Sequence, residues 1–346
     1  MMNNSASSQN KFKWLYGLNQ DKNLMRLLII LVFVFILMSL LKPGLFLTSS
    51  NFISMTKQFP EYGLLAIAIS IAMITGGIDL SVVAIANLSA IVAAKFYIAY
   101  LPADGPFATT ALFIVTGVLI ALIIGSLAGA FNGLLISKFK ISAILATLGT
   151  YQLFSGIAVV LTEGKSISGL PMAFSTVGNY SIFGYIPVPF VIFIVMAIIV
   201  GILLSKTTFG MQLYLFGTNE KAAHYAGLNN TWIIIRTYVL AGFLSALAGL
   251  IMMARTNSIN ADYGSNYTLQ CILIAVLGGI NPKGGFGNVQ GIVIAILILQ
   301  ILSSGLNMFP MISNFYRDII WGGVLIFVLI FNYYIFKREQ KIALKG

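Results

Sequence analysis

Long apolar runs, each near the length of a bilayer-spanning helix and parted by short polar or Gly/Pro-containing breaks, make up most of this chain. A helix needs about 20 apolar residues to cross the hydrocarbon layer. On that measure the spans are 24–41, 60–76, 80–100, 108–136, 141–161, 187–204, 233–254, 268–280, 287–307 and 316–336. The count is about ten, with nine or eleven left open because the second, eighth and ninth runs are short or broken. The predicted fold class is all-α: a polytopic membrane helix bundle.

Loop charge orients the bundle. Lys11, Lys13, Lys22 and Arg26 precede the first run, and Lys337, Arg338, Lys341 and Lys345 follow the last. Basic residues accumulate on the cytoplasmic side, so both termini are predicted to be cytoplasmic. Residues 137–140, 205–232 and 281–287 then also face inward. The outward loops 102–107, 257–267 and 309–314 carry no Lys or Arg, whereas 42–59 carries two Lys and 162–187 one. The basic start before Leu24–Leu41 looks like a signal peptide, but no small-x-small cleavage site follows, so a retained first helix is expected.

The chain divides accordingly. Residues 1–23 form an N-terminal cytoplasmic tail rich in Asn, Ser and Gln, expected to be disordered. Residues 24–336 form the transmembrane domain, with a cytoplasmic segment at 205–232, and 337–346 form a cytoplasmic C-terminal tail. In the polar 162–187 loop a short surface helix facing an external partner is expected. Within 205–232, Thr218 or Asn219 followed by Glu220, Lys221, Ala222 and Ala223 reads as a capped short helix ended by Gly227. Such a helix lies on the membrane surface, open to a cytoplasmic protein. A second feature is an internal echo: Thr75–Ser81 (TGGIDLS) and Leu277–Pro282 (LGGINP) both place a Gly-Gly break between short spans. Paired breaks of this kind mark discontinuous helices and internal repeats in transporters.

Composition excludes several classes. Of 346 residues, 59% are hydrophobic and 8% charged, against roughly 25% charged in soluble domains; mean hydropathy is +0.96. The net charge of +11 would suggest nucleic acid in a soluble protein, but the basic residues sit at the ends and no basic stripe with interleaved aromatics exists. Catalytic supply is poor. His224 is the only histidine and Cys271 the only cysteine, which rules out an intrachain disulfide and a cysteine-based metal site and argues against a Ser-His-Asp triad. No Gly-x-x-x-x-Gly-Lys-Ser/Thr loop is present, the nearest run being Pro282–Gly287. ATP, if it drives this protein, binds to another chain. No cofactor, metal or enzymatic activity is expected.

Ion-coupled carriers place carboxylates inside spans. Here Glu61 falls at the start of the second span, Asp79 at the Gly-Gly turn, and Asp318 beside Arg317 at the start of the tenth. All three read as helix-end groups: Asp79 as the cap of a helix opening at Leu80, and Arg317 with Asp318 as an interfacial anchor. Uncharged polar residues in the spans include Asn87, Ser89, Asn132, Thr147, Gln152, Gln300 and Asn307. They either join helices through hydrogen bonds or line an aqueous path for a neutral polar solute such as a sugar. Asn87, Asn132, Thr147, Gln152 and Gln300 are the candidates for such a path. Tyr151 and Phe154 either stack on a sugar or pack in the core.

Five ordered motifs carry a family resemblance over residues 50–335. They are Thr75–Ser81, Asn132–Leu135 with Lys138 and Lys140 before Thr147–Thr150, Thr208-Phe209-Gly210 with Gly217, Asn219, Ala222, Ala223 and Gly227, Ser245–Gly249, and Val276–Gly279. Together they resemble the permease subunits of bacterial sugar ABC importers, the ribose, xylose, galactose and autoinducer group. The resemblance implies a multi-pass protein of the bacterial cytoplasmic membrane that forms the translocation path. It further implies a cytoplasmic ABC ATPase, an extracytoplasmic substrate-binding protein and a second permease copy, identical or paralogous. Coupling to the ATPase would fall to Gly210, Gly217, Asn219, Glu220, Ala222, Ala223 and Gly227, and the family turns to Gly76, Gly77, Asp79, Ser81, Gly278 and Gly279. Two departures stand out: Asn281-Pro282-Lys283 where small residues are usual, and Met211-Gln212 where relatives often carry Arg-Arg. Contact with the ATPase would then rest on shape, or on Lys206 and Lys221. A permease for nucleosides or branched-chain amino acids, and an ion-coupled secondary carrier, are the alternatives.

Overall fold

The computed structural model describes residues 22–100, 106–182 and 184–309, then 316, 319–324, 326–328 and 330. Both predicted tails, except Lys22 and Asn23, lie outside the described residues, as do Arg317 and Asp318. The helices are α1 (Lys22–Leu41), α2 (Pro43–Phe46), α3 (Ser49–Ile74), α4 (Val82–Tyr100), α5 (Phe107–Ser137), α6 (Ala143–Thr162), α7 (Met172–Asn179), α8 (Val188–Lys206), α9 (Thr208–Thr218), α10 (Glu220–Tyr225), α11 (Asn230–Thr256), α12 (Tyr267–Leu277) and α13 (Val289–Leu306). Helix dominates, as expected. Two small antiparallel pairs were not foreseen: β1 (Ile167–Ser168) with β4 (Ser258–Ile259), and β2 (Ser181–Ile182) with β3 (Ile186–Pro187). The polar 162–187 loop does hold a helix, α7.

Among the described residues seven helices are long and apolar enough to cross a membrane: α1, α4, α5, α6, α8, α11 and α13. The shorter apolar helices α12 and 319–328 accompany them. Apolar side chains such as Phe33, Leu119, Leu145 and Ile198 point outward from α1, α5, α6 and α8, where a lipid solvent accepts them.

One predicted boundary is corrected. The stretch 42–59 was read as a loop, with the second span starting at Phe59–Pro60, yet α3 begins at Ser49 and runs unbroken through Pro60. Thr48 caps it, its hydroxyl accepting from Asn51 N at 3.3 Å. Polar residues such as Asn51 and Gln58 resemble loop composition, but they lie on the helix, where Gln58 donates to Ser54 Oγ at 3.1 Å one turn back and Asn51 accepts from Ser304 of α13. Glu61 is therefore not a helix-end group.

The centre of the bundle is built on close backbone approach. Gly125, Gly129 and Gly133 recur every fourth residue on α5 and meet Gly242, Tyr238 and Ile235 of α11, where an added Cβ would overlap the opposing backbone. Small residues at this spacing let helices pack at the shortest distance, which matters in lipid where no hydrophobic effect drives helices together. α11 is thereby held against α5 and α4, and the C-terminal half of α3 is buried alongside them.

Candidate functional site: a short helical segment keyed onto two glycine turns

Thr207 ends α8 and caps α9, its hydroxyl accepting from Gly210 N at 3.3 Å. A Cβ at Gly210 would collide with the Leu204 carbonyl, so a side chain here would prevent α9 from folding back onto α8. The 11-residue helix α9 was not predicted, although its signal was present in the Thr207 cap and the apolar spacing Phe209, Leu213, Phe216. The next helix matches the expectation closely. Asn219 caps α10, Oδ1 accepting from Ala222 N at 3.0 Å, and Gly227 closes it with φ +79°.

Ala223 anchors α10 by packing among Phe216, Ile233, Ile234 and Tyr238. The outward surface of α9 and α10 carries Met211, Leu215, Ala222, His224 and Tyr225, the last 88% exposed. Lys140, from the turn between α5 and α6, reaches Glu220 at 3.5 Å. Large apolar side chains left open on a polar-rimmed surface mark an interaction site.

Behind this surface α9 meets both Gly-Gly turns. A Cβ on Gly217 would overlap the Ile74 carbonyl oxygen and stand 2.6 Å from Gly285 N. The same carbonyl accepts a hydrogen bond from Gly285 N at 2.9 Å, and Tyr214 donates its hydroxyl to Gly287 O at 2.6 Å. A Cβ on Gly284 would lie 2.7 Å from Gly217 O and 2.8 Å from Gly76 N. The turn after α3 and the turn between α12 and α13 thus touch each other and the end of α9 with no side chain between them. The first half of the sequence echo lies against Lys283 and Gly284, just beyond the second half at 277–282. Gly278 packs on the backbone of Ile292, and Gly279 adopts φ +90° beside Asn23.

A polar clamp holds the first turn from its other side. Asn132 Nδ2 donates to Ser81 Oγ at 2.7 Å, and Ser81 donates to Asp79 Oδ1 from its hydroxyl at 2.6 Å and from its amide at 2.9 Å. Leu80 N donates to Thr147 Oγ1 at 3.1 Å, and Thr147 donates to Ala143 O at 2.7 Å. Asp79 is fully buried and, among the described residues, accepts only from Ser81, which precedes the helix start at Val82, so its carboxylate fixes the turn ahead of α4 and not the first turn of a helix opening at Leu80. Gly77 leaves room for the Tyr238 hydroxyl, 2.7 Å from where a Cβ would be.

The remaining candidates are scattered. Asn132 and Thr147 join the turn. Asn87 ties α4 to the loop before α12 through the carbonyls of Ala261 and Tyr263, both at 2.9 Å. Gln152 is exposed on the outer surface of α6, and Phe154 packs in the core. Gln300 is buried and accepts from the Tyr62 hydroxyl at 2.7 Å. One pairing escaped the sequence reading entirely: Glu61, fully buried, forms an ion pair with Arg255 of α11, which also donates to Tyr263 at 3.0 Å. Nothing local links residues 194 positions apart. The only hint was that each charge fell at the outward boundary of its span, Glu61 at the start of the second and Arg255 just past the end of the seventh.

Helical spans, inward glycine turns and an exposed short-helix surface define a membrane transport component. Residues 51–329 match the family described as branched-chain amino acid transport system / permease component, and the chain belongs to that family. It is 36% identical over 305 residues to a ribose import permease protein of Bacillus subtilis (strain 168), covering 86% of this chain and 88% of that protein. It is 30% identical to the D-allose transport system permease protein of Escherichia coli (strain K12), over 86% of this chain and 87% of that one. An autoinducer 2 import system permease protein of Enterobacter sp. (strain 638) is 32% identical, over 88% and 90%. No solved structure matches the chain.

Proposed function

We propose that this chain is the transmembrane permease subunit of an ATP-binding cassette importer for a sugar or sugar-like solute. In this reading it crosses the bacterial cytoplasmic membrane about ten times with both termini inside, and pairs with a second permease copy. A separate ATPase docks on the α9–α10 surface, and an extracytoplasmic binding protein delivers the solute. The observation that carries the proposal is the seat of Gly217: an exposed helical segment, in a chain without a phosphate-binding loop, is keyed by backbone contact onto both turns that interrupt the spans. ATP binding can bias the orientation of the bundle only if its docking surface is rigidly joined to the elements that move, and this contact supplies that join.

The three relatives described above, whose names concern ribose, D-allose and autoinducer 2, support a sugar-like substrate. The family description favours a second reading, a branched-chain amino acid. Against it, the buried pair Glu61–Arg255 neutralises itself, whereas a zwitterion needs opposite charges left open to it. The test is ATP-driven uptake into proteoliposomes holding this chain with its ATPase and binding protein, using labelled ribose, allose and leucine. A bulky residue at Gly217 or Ala223 is expected to abolish uptake while membrane insertion persists. Unchanged uptake would remove the coupling assignment, and leucine uptake without sugar uptake would remove the sugar.

A further inference from the structure

At the end of the bundle remote from Gly217, two helices turn hydrogen-bonding faces toward each other. On α3 the residues are Asn51, Ser54, Gln58 and Tyr62, spaced to fall on one side of the helix. On α13 they are Gln300, Ser303, Ser304 and Asn307, again one side. The faces meet where Ser304 donates to Asn51 Oδ1 at 2.6 Å and where Tyr62 donates to Gln300 Oε1 at 2.7 Å. Between these contacts lies an open cleft of about 220 Å³, lined among the described residues by Asn51, Ser54, Gln58, Gln300, Ser304 and Asn307 with two methionines.

The chemistry of this seam is selective. Among the described residues no charged side chain lines it, and the Glu61 carboxylate, one turn further along α3, is held by Arg255. An amide side chain offers two donors and two acceptor positions, so one or two internal bonds leave capacity that lipid tails cannot use. Ser54 and Asn307 are exposed at the cleft, so a polar occupant can reach hydrogen-bonding side chains there without disturbing the contacts that join the two helices. The volume is below the roughly 300 Å³ at which sites for drug-sized ligands begin, but suffices for one small solute. Of the lining residues Gln300 is fixed by the Tyr62 hydroxyl, and Tyr62 stands edge-on to Tyr267 at 5.2 Å between ring centres.

We propose that this seam is the first solute subsite of the translocation path, binding a neutral, polyhydroxylated molecule through the amides of Asn51, Gln58, Gln300 and Asn307. The assignment rests on the sugar-importer reading above and gives that reading specific solute-contacting residues.

The single native cysteine makes a direct test possible, because Cys271 is fully buried. Ser54→Cys and Asn307→Cys, both at exposed positions, are placed singly in the full complex in proteoliposomes and treated from the binding-protein side with a membrane-impermeant thiol reagent. Labelling is expected to inhibit uptake of ribose or allose, and saturated binding protein with sugar to slow labelling at least severalfold. Gln300→Leu is expected to raise the sugar concentration for half-maximal uptake by about three- to tenfold, the equivalent of one hydrogen bond. A purely structural seam predicts neither sugar protection nor a concentration shift, and lack of both in complexes that transport normally overturns the subsite. Wild-type complexes that hydrolyse ATP yet move no sugar would instead overturn the sugar-importer reading.

Discussion

Gly217→Ala is the smallest change that probes the central contact, adding one methyl group where α9 touches both turns. The new Cβ would overlap Ile74 O and stand 2.6 Å from Gly285 N. Non-bonded atoms settle near about 3.5 Å, and the overlap with Ile74 O is the tighter of the two, so α9 must withdraw by roughly 1.5 Å. Overpacking of this kind costs about 1–3 kcal/mol, and loosening the Gly285–Ile74 hydrogen bond adds about 0.5–1.5 kcal/mol. Alanine's better helix propensity returns about 0.5–1 kcal/mol. The net loss is about 2 kcal/mol, near a thirtyfold change in an equilibrium constant. The assay is thermal unfolding of the purified complex in detergent, alongside ATP-driven uptake in proteoliposomes. The expected result is a melting point several degrees lower, with uptake reduced more than ATP hydrolysis. Gly201→Ala on α8, whose added Cβ meets only Val289 at 3.9 Å, is the matched control and is expected to behave as wild type. If Gly217→Ala matches that control in both assays, the turns and α9 are not in backbone contact and the coupling argument fails.

Three further outcomes follow from the same geometry. Glu61→Gln or Arg255→Met leaves a buried charge without its partner and is expected to destabilise by about 3–5 kcal/mol; the double variant should recover much of that loss in a thermal-shift series, and simple additivity would show that the two do not interact. Thr147→Val removes the acceptor for Leu80 N at 3.1 Å and is expected to cost about 1–3 kcal/mol, with a lower unfolding temperature as the measure. Lys140→Gln breaks only an exposed 3.5 Å ion pair, and its effect on the same assay is expected to stay below about 1 kcal/mol.

How much was legible in advance varies with the range of the interaction. The α10 helix was read from Asn219 and Gly227 because capping is settled within a single turn of chain. α3 was truncated in the reading because Asn51, Ser54, Lys57 and Gln58 look like loop residues until the α13 partner of Asn51, Ser304, is known. Asp79 was expected to cap a helix opening at Leu80, whereas it ends a chain of hydrogen bonds through Ser81 to Asn132. Gly76 and Gly217 were noticed as motif glycines, and Gly285 only as part of the run Pro282–Gly287, without any sign that the three share one contact.

The chain alone determined that it belongs in a bilayer, roughly where each span lies, where the chain turns, and which short helix faces outward, since hydropathy, loop charge and caps act over a few neighbouring residues. Only the tertiary structure decided that the two glycine turns stack on one another beneath α9, that Glu61 is neutralised by Arg255, and that the polar faces of α3 and α13 enclose a cleft. Those outcomes depend on which helices become neighbours, and that is set by the fit of small residues such as Gly129 and Gly242 across distant segments, a property of surfaces that no local window of sequence contains.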